Sequence, residues 1–214
     1  MLNIQRFVCN MFQENCYVAS DETKECVIID CGAFYEEEKR AIIDYINNNK
    51  LIPKHLISTH AHIDHNFGNN AIYTAFGLKP EVCIDDKILM GKLKEQAYAF
   101  IGLNYDENIP DVKNYFTDKD TISFGTHKFN ILKTPGHTPG SVLFYCANES
   151  IAFSGDTLFK LSIGRTDFEF GSYEDIIRSL KNIAIQLPAQ TAILPGHGEK
   201  TTLKEEITYN PYFK

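Results

Sequence analysis

The sequence has no C-x-x-C pair among its six cysteines, Cys9, Cys16, Cys26, Cys31, Cys83 and Cys146. A disulfide framework is not expected in a chain of 214 residues, which can bury a core of its own. Most of these thiols fall in apolar runs such as Cys26-Val27-Ile28-Ile29, so they are expected to be buried and free in a reducing cytoplasm. Basic clusters are missing too. With 21 Lys and Arg against 28 Asp and Glu the net charge is −7, which argues against nucleic acid as the main partner, since phosphate contacts need a basic surface. No apolar run approaches the roughly 18 residues that cross a bilayer, so no membrane span is expected. The opening Met1-Leu2-Asn3-Ile4-Gln5-Arg6-Phe7 lacks the pattern of a signal peptide. There is no repeat of short fixed period and no low-complexity linker. What is left is ordinary: 43% hydrophobic and 23% charged residues predict a globular core, and residues 1–214 are read as one domain.

Alternating or continuously apolar segments predict strands at 2–8, 15–19, 26–30, 54–58, 81–84, 121–124, 127–133, 142–146, 151–154 and 191–194. Ile42 and Ile46, four apart with Ile43 beside them, predict an amphipathic helix over 36–49. A second helix is expected at about 66–76. A third opens at Ser172, with Asp175 three residues on and Pro188 beyond its end. Residues 85–115 are the least regular. Lys87 to Phe100 has helical character, and the aromatics Tyr98, Phe100, Tyr105, Tyr115 and Phe116 are expected to pack in the core rather than form a lid. Strand runs followed by a helix occur twice. That suggests an α+β fold of two halves, sheet packed on sheet with helices outside.

The chemistry concentrates in Ser58-Thr59-His60-Ala61-His62-Ile63-Asp64-His65-Asn66, between a strand and a helix. Residues two apart on an extended segment face the same way, so His60 and His62 can grip one ion. Asp64 and His65 follow the turn and can point at a second position. Imidazole and carboxylate together suit zinc, iron or manganese. Three more donors each follow a strand: His137 in Thr134-Pro135-Gly136-His137, Asp156 in Ser154-Gly155-Asp156, and His197 in Pro195-Gly196-His197. A lone Pro-Gly-His is often only a turn. Together with H-x-H-x-D-H the set is strong, because each donor can emerge at one edge of the sandwich. His55 and His127, placed before or within strands, are expected to be structural.

These motifs resemble the metallo-β-lactamase superfamily, whose fold is an αββα sandwich with a two-metal site in the cleft between the sheet edges. The resemblance implies that His60, His62 and His137 hold one metal. Asp64, His65 and His197 hold the other, and Asp156 bridges them. Seven ligands and a bridging water or hydroxide suit two metals about 3.5–4 Å apart. Zinc is the first expectation, with iron or manganese as alternatives. Dinuclear β-lactamases usually carry a cysteine where Asp156 stands, which disfavours antibiotic hydrolysis. The segment Asp156 to Phe168 and the tail around Thr201-Thr202-Leu203 and Asn210-Pro211 are similar to short hydrolases of the glyoxalase II type. The helical C-terminal domain of full-length glyoxalase II has no counterpart here. Thioester chemistry is therefore implied more firmly than glutathione itself.

The implied reaction is hydrolysis of a small acyl thioester by a metal-bridging hydroxide, with Asp156 and Asp64 as catalytic carboxylates. Asp64 doubles as ligand and proton acceptor. A thiol of pKa near 8.5 leaves without a strong general acid. Thr59 or Asp30 is a candidate to orient a ligand histidine. Arg165 corresponds to a basic residue that contacts the glycine carboxylate of glutathione in glyoxalase II. Alternatively, it pairs with Asp167 or Glu169 and shapes the loop. The persulfide dioxygenases share the Gly164-Arg165-Thr166-Asp167-Phe168 segment and hold one iron through the counterparts of His60, His137 and Asp156, so they are the main rival reading. A nuclease is disfavoured by the acidic balance, and a non-catalytic module by the full set of ligand residues.

Overall fold

The computed structural model describes residues 1–214. Two hairpin strands open the first sheet: β1 (Asn3–Cys9) and β2 (Glu14–Ser20) pair antiparallel. Next come β3 (Glu25–Ile29), α1 (Glu36–Asn48), β4 (Ile52–Ile57), a 3-10 turn at Ile63–His65, α2 (Asn69–Phe76) and β5 (Pro80–Cys83). Then α3 (Lys87–Met90), α4 (Leu93–Ile101) and β6 (Asn114–Phe116) complete that half. The sheet order is β1-β2-β3-β4-β5-β6, with β3 to β6 parallel. The second half holds β7 (Thr121–Phe124), β8 (His127–Lys133), β9 (Val142–Cys146), β10 (Ile151–Gly155) and the hairpin β11 (Leu158–Phe159) and β12 (Ser162–Ile163). It ends with α5 (Tyr173–Gln186), β13 (Ala192–Pro195), β14 (Thr201–Thr202) and α6 (Leu203–Tyr209). Its sheet order is β14-β13-β10-β9-β8-β7.

Side-chain alternation explains why both faces of each sheet are apolar. Tyr17, Ala19, Val27 and Ile29 point inward and meet Phe129, Phe144 and Phe153 of the second sheet. The residues between them, Cys16, Val18, Cys26 and Ile28, point outward onto Ile42 and Ile46 of α1 and Ile72 of α2. On the other side Leu143, Tyr145 and Ile193 receive Leu180 and Ile183 of α5. A sheet covered on both faces needs such near-continuous apolar strands. The result is the expected αββα sandwich. Phe144 is fully buried at its centre, and truncating such a residue to alanine typically costs about 3–5 kcal/mol. All six cysteines are buried and free. No helix is long and apolar enough to cross a membrane.

Several boundaries differ from expectation for local reasons. The second helix starts at Asn69 rather than about 66, because Ile63–His65 forms a separate turn. The stretch from Lys87 to Phe100 is two helices, broken at Gly91 and Lys92. Among the aromatics, Tyr105 and Phe116 are buried as expected, and the Tyr105 hydroxyl donates to the Phe67 carbonyl. Tyr98 is instead exposed, and Phe100 lines the cleft.

Candidate metal centre

β4, β8, β10 and β13 all run toward the same edge of the sandwich, and the chain leaves each of them into a loop carrying a candidate ligand. Groups outside the carboxyl ends of strands commonly build sites in open α/β sheets. The glycines of these loops permit the approach. At Gly155 the backbone is left-handed (φ +48°), and a Cβ there would collide with the Thr59 side chain. At Gly196 a Cβ would meet the Asp156 carboxylate and the His65 ring, so the Gly before His197 leaves room for two other ligands.

The seven candidate ligands converge. His60, His62 and His137 form one buried cluster, His60, His65 and Asp156 another, and Asp64, His65 and His197 a third. Asp156 lies between them: Oδ1 is 3.4 Å from His65 Nε2, and Oδ2 is 3.5 Å from both His137 Nε2 and His197 Nε2. Asp64 Oδ2 is 3.3 Å from His197 Nε2 and 3.6 Å from His65 Nε2. Two donors bound tetrahedrally to one zinc at 2.0–2.1 Å lie about 3.4 Å apart. The spacings therefore suit ligands sharing an ion better than hydrogen-bonded pairs. His60 Nε2, His65 Nε2 and Asp156 Oδ1 are buried with no hydrogen-bond partner at all. Such orphans are rare in folded proteins and call for an occupant. A divalent cation fits this set of imidazole and carboxylate donors.

The outer nitrogens of His60, His137 and His197 are already engaged, which sets their tautomers. His60 Nδ1 donates to the Thr59 hydroxyl (3.1 Å), which in turn donates to Asp30 (2.7 Å). His137 Nδ1 donates to the Arg165 carbonyl (2.7 Å) and His197 Nδ1 to the Phe12 carbonyl (3.0 Å). In each case Nε2 keeps its lone pair for the site. His65 Nδ1 lies 3.2 Å from Asp30, and His62 differs by turning Nδ1 to within 2.8 Å of His137 Nε2. Asp30 itself is held in the left-handed region (φ 52°), a conformation that persists only where the surroundings enforce it.

Burial pushes His60 well below the usual imidazole range, and neighbouring His65 and His137 add to it. His62 is pushed down to about 3 by burial and by His137. Burial opposes ionisation of Asp64 and Asp156, but His65 and His197 outweigh it and hold both carboxyls low. His60 and His62 are thus neutral and Asp64 and Asp156 ionised, the forms that bind metals. Burial also opposes the charge on His65 and His197, but Asp64 and Asp156 outweigh it and raise both, so that these two rings release protons as a cation binds.

Some contributors are not evident from the motifs. Asp86, buried after β5, accepts from Ala61 N (2.8 Å), Thr138 Oγ1 (2.8 Å) and Gly140 N (2.6 Å), so it ties the His60–His65 loop to the His137 loop. Its only sequence signal is an aspartate directly after a strand. Asn66 donates to the His62 carbonyl (2.6 Å) and accepts from Ser58 (2.9 Å). Phe100 and Phe168 stack at 5.0 Å beside His62. The cleft, about 610 Å3, is walled by Phe12, Phe100, Phe159, Ile163 and Phe168. Arg165 also lines it, and its guanidinium donates to both oxygens of Asp167 at 2.7 Å. His55 and His127 lie outside the site, paired with Glu81 (2.7 Å) and with Asp21 and Glu149 respectively.

Two face-to-face sheets with a histidine- and aspartate-lined cleft at one edge define a fold of metal-dependent hydrolases. The metallo-beta-lactamase superfamily profile matches residues 9–197, and the chain belongs to that superfamily. It is similar to the hydroxyacylglutathione hydrolase GloC of Haemophilus influenzae, 35% identical over 212 residues that span 99% of this chain and 98% of the relative. Among solved structures, the BLEG-1 B3 metallo-beta-lactamase is 30% identical with a TM-score of 0.90, covering 99% of this chain and 100% of that one. TTHA1623 in a di-iron-bound form is 31% identical with a TM-score of 0.85, covering 97% of this chain and 99% of that one.

Proposed function

We propose that this chain hydrolyses small acyl thioesters of the hydroxyacylglutathione kind at a two-metal centre. The observation that carries the reading is the convergence of seven ligand-type side chains, three with unpartnered buried atoms, at the floor of one cleft. The likeness to GloC over nearly its whole length supports the substrate class. His60, His62 and His137 would hold one ion, Asp64, His65 and His197 the other, and Asp156 would touch both. When bound, such ions supply Lewis acidity, which lowers the pKa of water toward about 7 and polarises a carbonyl. Zinc is proposed first, with iron the alternative that the di-iron relative supports. In the net reaction water adds to the carbonyl carbon, the C–S bond breaks, and a carboxylic acid and a thiol result.

The chain's own groups do the rest. Asp64 borders the cleft and stays ionised beside His65 and His197, so it can accept a proton from water. The aromatic walls exclude solvent and receive apolar parts of the substrate. Arg165 gives Nε and Nη2 to Asp167, which leaves Nη1 to meet a substrate carboxylate. The thiolate departs without a dedicated acid. A small molecule is the partner proposed, and six free buried thiols support a reducing, cytoplasmic setting.

β-Lactam hydrolysis is a second reading, favoured by the likeness to BLEG-1. One assay series separates the alternatives. The protein is loaded with zinc, iron or manganese and given lactoylglutathione, a chromogenic cephalosporin, and glutathione persulfide with an oxygen electrode. Thioester turnover without the other two is expected. Cephalosporin turnover with an inert thioester would replace the proposal with the second reading, and oxygen uptake would replace it with a dioxygenase.

A further inference from the structure

Past His62 the cleft opens into a second cavity of about 320 Å3 beneath α4. His62, Ala99, Phe100 and Phe168 line both spaces, so the cavity is a continuation of the site. Leu89 and Gln96 are the further buried residues that line it. Gln96 offers a ligand nothing, because its Oε1 accepts from Ile63 N (3.0 Å) and its Nε2 donates to the Ala61 and Leu89 carbonyls (3.0 Å each). Lys92 at the rim is bound by Glu169 (3.1 Å), with its ammonium 5.4 Å from the Phe170 ring centre. The remaining charge, Glu95, is negative. The cavity thus has no free cation for an anionic group, and its accessible contacts are the faces of Leu89, Ala99, Phe100 and Phe168.

We infer that this cavity takes the apolar tail of the substrate's acyl group. The preferred thioesters are then those of medium-chain or aromatic acids rather than of lactate-sized ones. The inference rests on the thioesterase reading, and it places acyl-length selectivity on the α4 side of His62, away from Arg165.

The test uses acetyl, butanoyl, hexanoyl and octanoyl thioesters of N-acetylcysteamine with the metal-loaded protein. Calorimetric titration with the matching free carboxylates gives a readout that needs no turnover. In wild type, kcat/KM is expected to rise about three- to fourfold per methylene until the cavity is full, with Kd for the carboxylates falling in step. Ala99→Trp, at an exposed position on α4, narrows the cavity and should flatten both trends. Leu89→Ala deepens it and should move the optimum to a longer chain. Thioester turnover with no dependence on chain length overturns the inference and leaves the thioesterase reading standing. Graded carboxylate binding without any thioester turnover does the reverse for the thioesterase reading and keeps the apolar cavity. A chain-length trend that both variants leave unchanged puts the tail elsewhere and overturns the inference.

Discussion

At the end of the sandwich away from the cleft, His127 is held from both sides. Its Nδ1 lies 2.9 Å from Asp21 and its Nε2 3.0 Å from Glu149, and Asp21 also accepts from Thr126 and Thr23. At the cleft end the same residue types stand slightly farther apart, with imidazole and carboxylate atoms 3.3–3.6 Å from one another, and several stay unsatisfied. His60 Nε2, His65 Nε2 and Asp156 Oδ1 have no partner, although each is buried. A buried polar cluster that completes its own hydrogen bonds is a fastening, whereas one that points lone pairs at a shared space needs something placed there. Composition alone does not separate the two ends, since both are histidine among carboxylates. The difference lies in what the second nitrogen of each ring faces.

The largest effect should come from the centre of the unsatisfied cluster. Asp156→Ala removes the carboxylate that lies within 3.5 Å of His65, His137 and His197 together, and thioester turnover should fall by more than about a thousandfold, as loss of a group acting on both ions would require. Steady-state kinetics at saturating metal decides this, and near-normal turnover would remove Asp156 from the centre.

Asp86→Ala should come next. It strands the Ala61 and Gly140 amides and the Thr138 hydroxyl in a buried place, so both ligand loops loosen. Metal affinity is expected to drop roughly 10- to 100-fold, as for other groups that orient ligands, with partial recovery in Asp86→Asn. Competition with a chromogenic chelator measures it. Equal affinity in wild type and Asp86→Ala would show that the loops hold themselves.

A smaller change is expected at Arg165. Arg165→Ala should raise KM for an anionic thioester roughly tenfold, the scale of one charge-assisted hydrogen bond, with kcat changing less. A neutral thioester should be nearly unaffected. Equal losses on both substrates would mean that Arg165 and Asp167 only shape the loop.

The smallest effect on activity belongs to the satisfied end. His127→Gln should leave metal binding and turnover alone and lower stability by about 1 kcal/mol near pH 6. Burial opposes the charge on His127, but its bonds to Asp21 and Glu149 prevail and raise its pKa. Those bonds also hold Glu149 low, while Asp21, despite its burial, is held low by Thr23, Thr126 and His127. The clamp is therefore complete above the usual carboxylate range and below the ordinary imidazole value of about 6.5. It weakens as the pH rises through the raised His127 value, and again as the pH falls through the lowered carboxylate values. Thermal melts across pH should show this curvature in wild type and lose it in His127→Gln.

How far the chain could be read in advance follows the same division. The sandwich was legible because β2 and β3 alternate strictly between core and helix-facing residues, and because Ser172 and Asp175 mark the start of α5. β6, β11, β12 and β14 were not, since strands of two or three residues carry too little alternation and exist only through their pairing partners. α6 was missed as well, although Thr202 and Glu205 cap it reciprocally. The seven donors stood out because each sits in a Gly- or His-rich loop after a strand. Asp86, Phe100 and Phe168 did not, because their roles depend on loops distant in sequence that only the fold brings together. Arg165 shows the limit most plainly, for the ion pair with Asp167 and the position beside the cleft are both present, and neither decides its role alone.

Elemental analysis after zinc saturation and dialysis, on wild type beside Asp156→Ala and His127→Gln, tests the division between the two ends most directly. Wild type and His127→Gln should each retain about two ions per chain, and Asp156→Ala fewer than about one. Two ions kept by Asp156→Ala, or ions lost from His127→Gln, would contradict it.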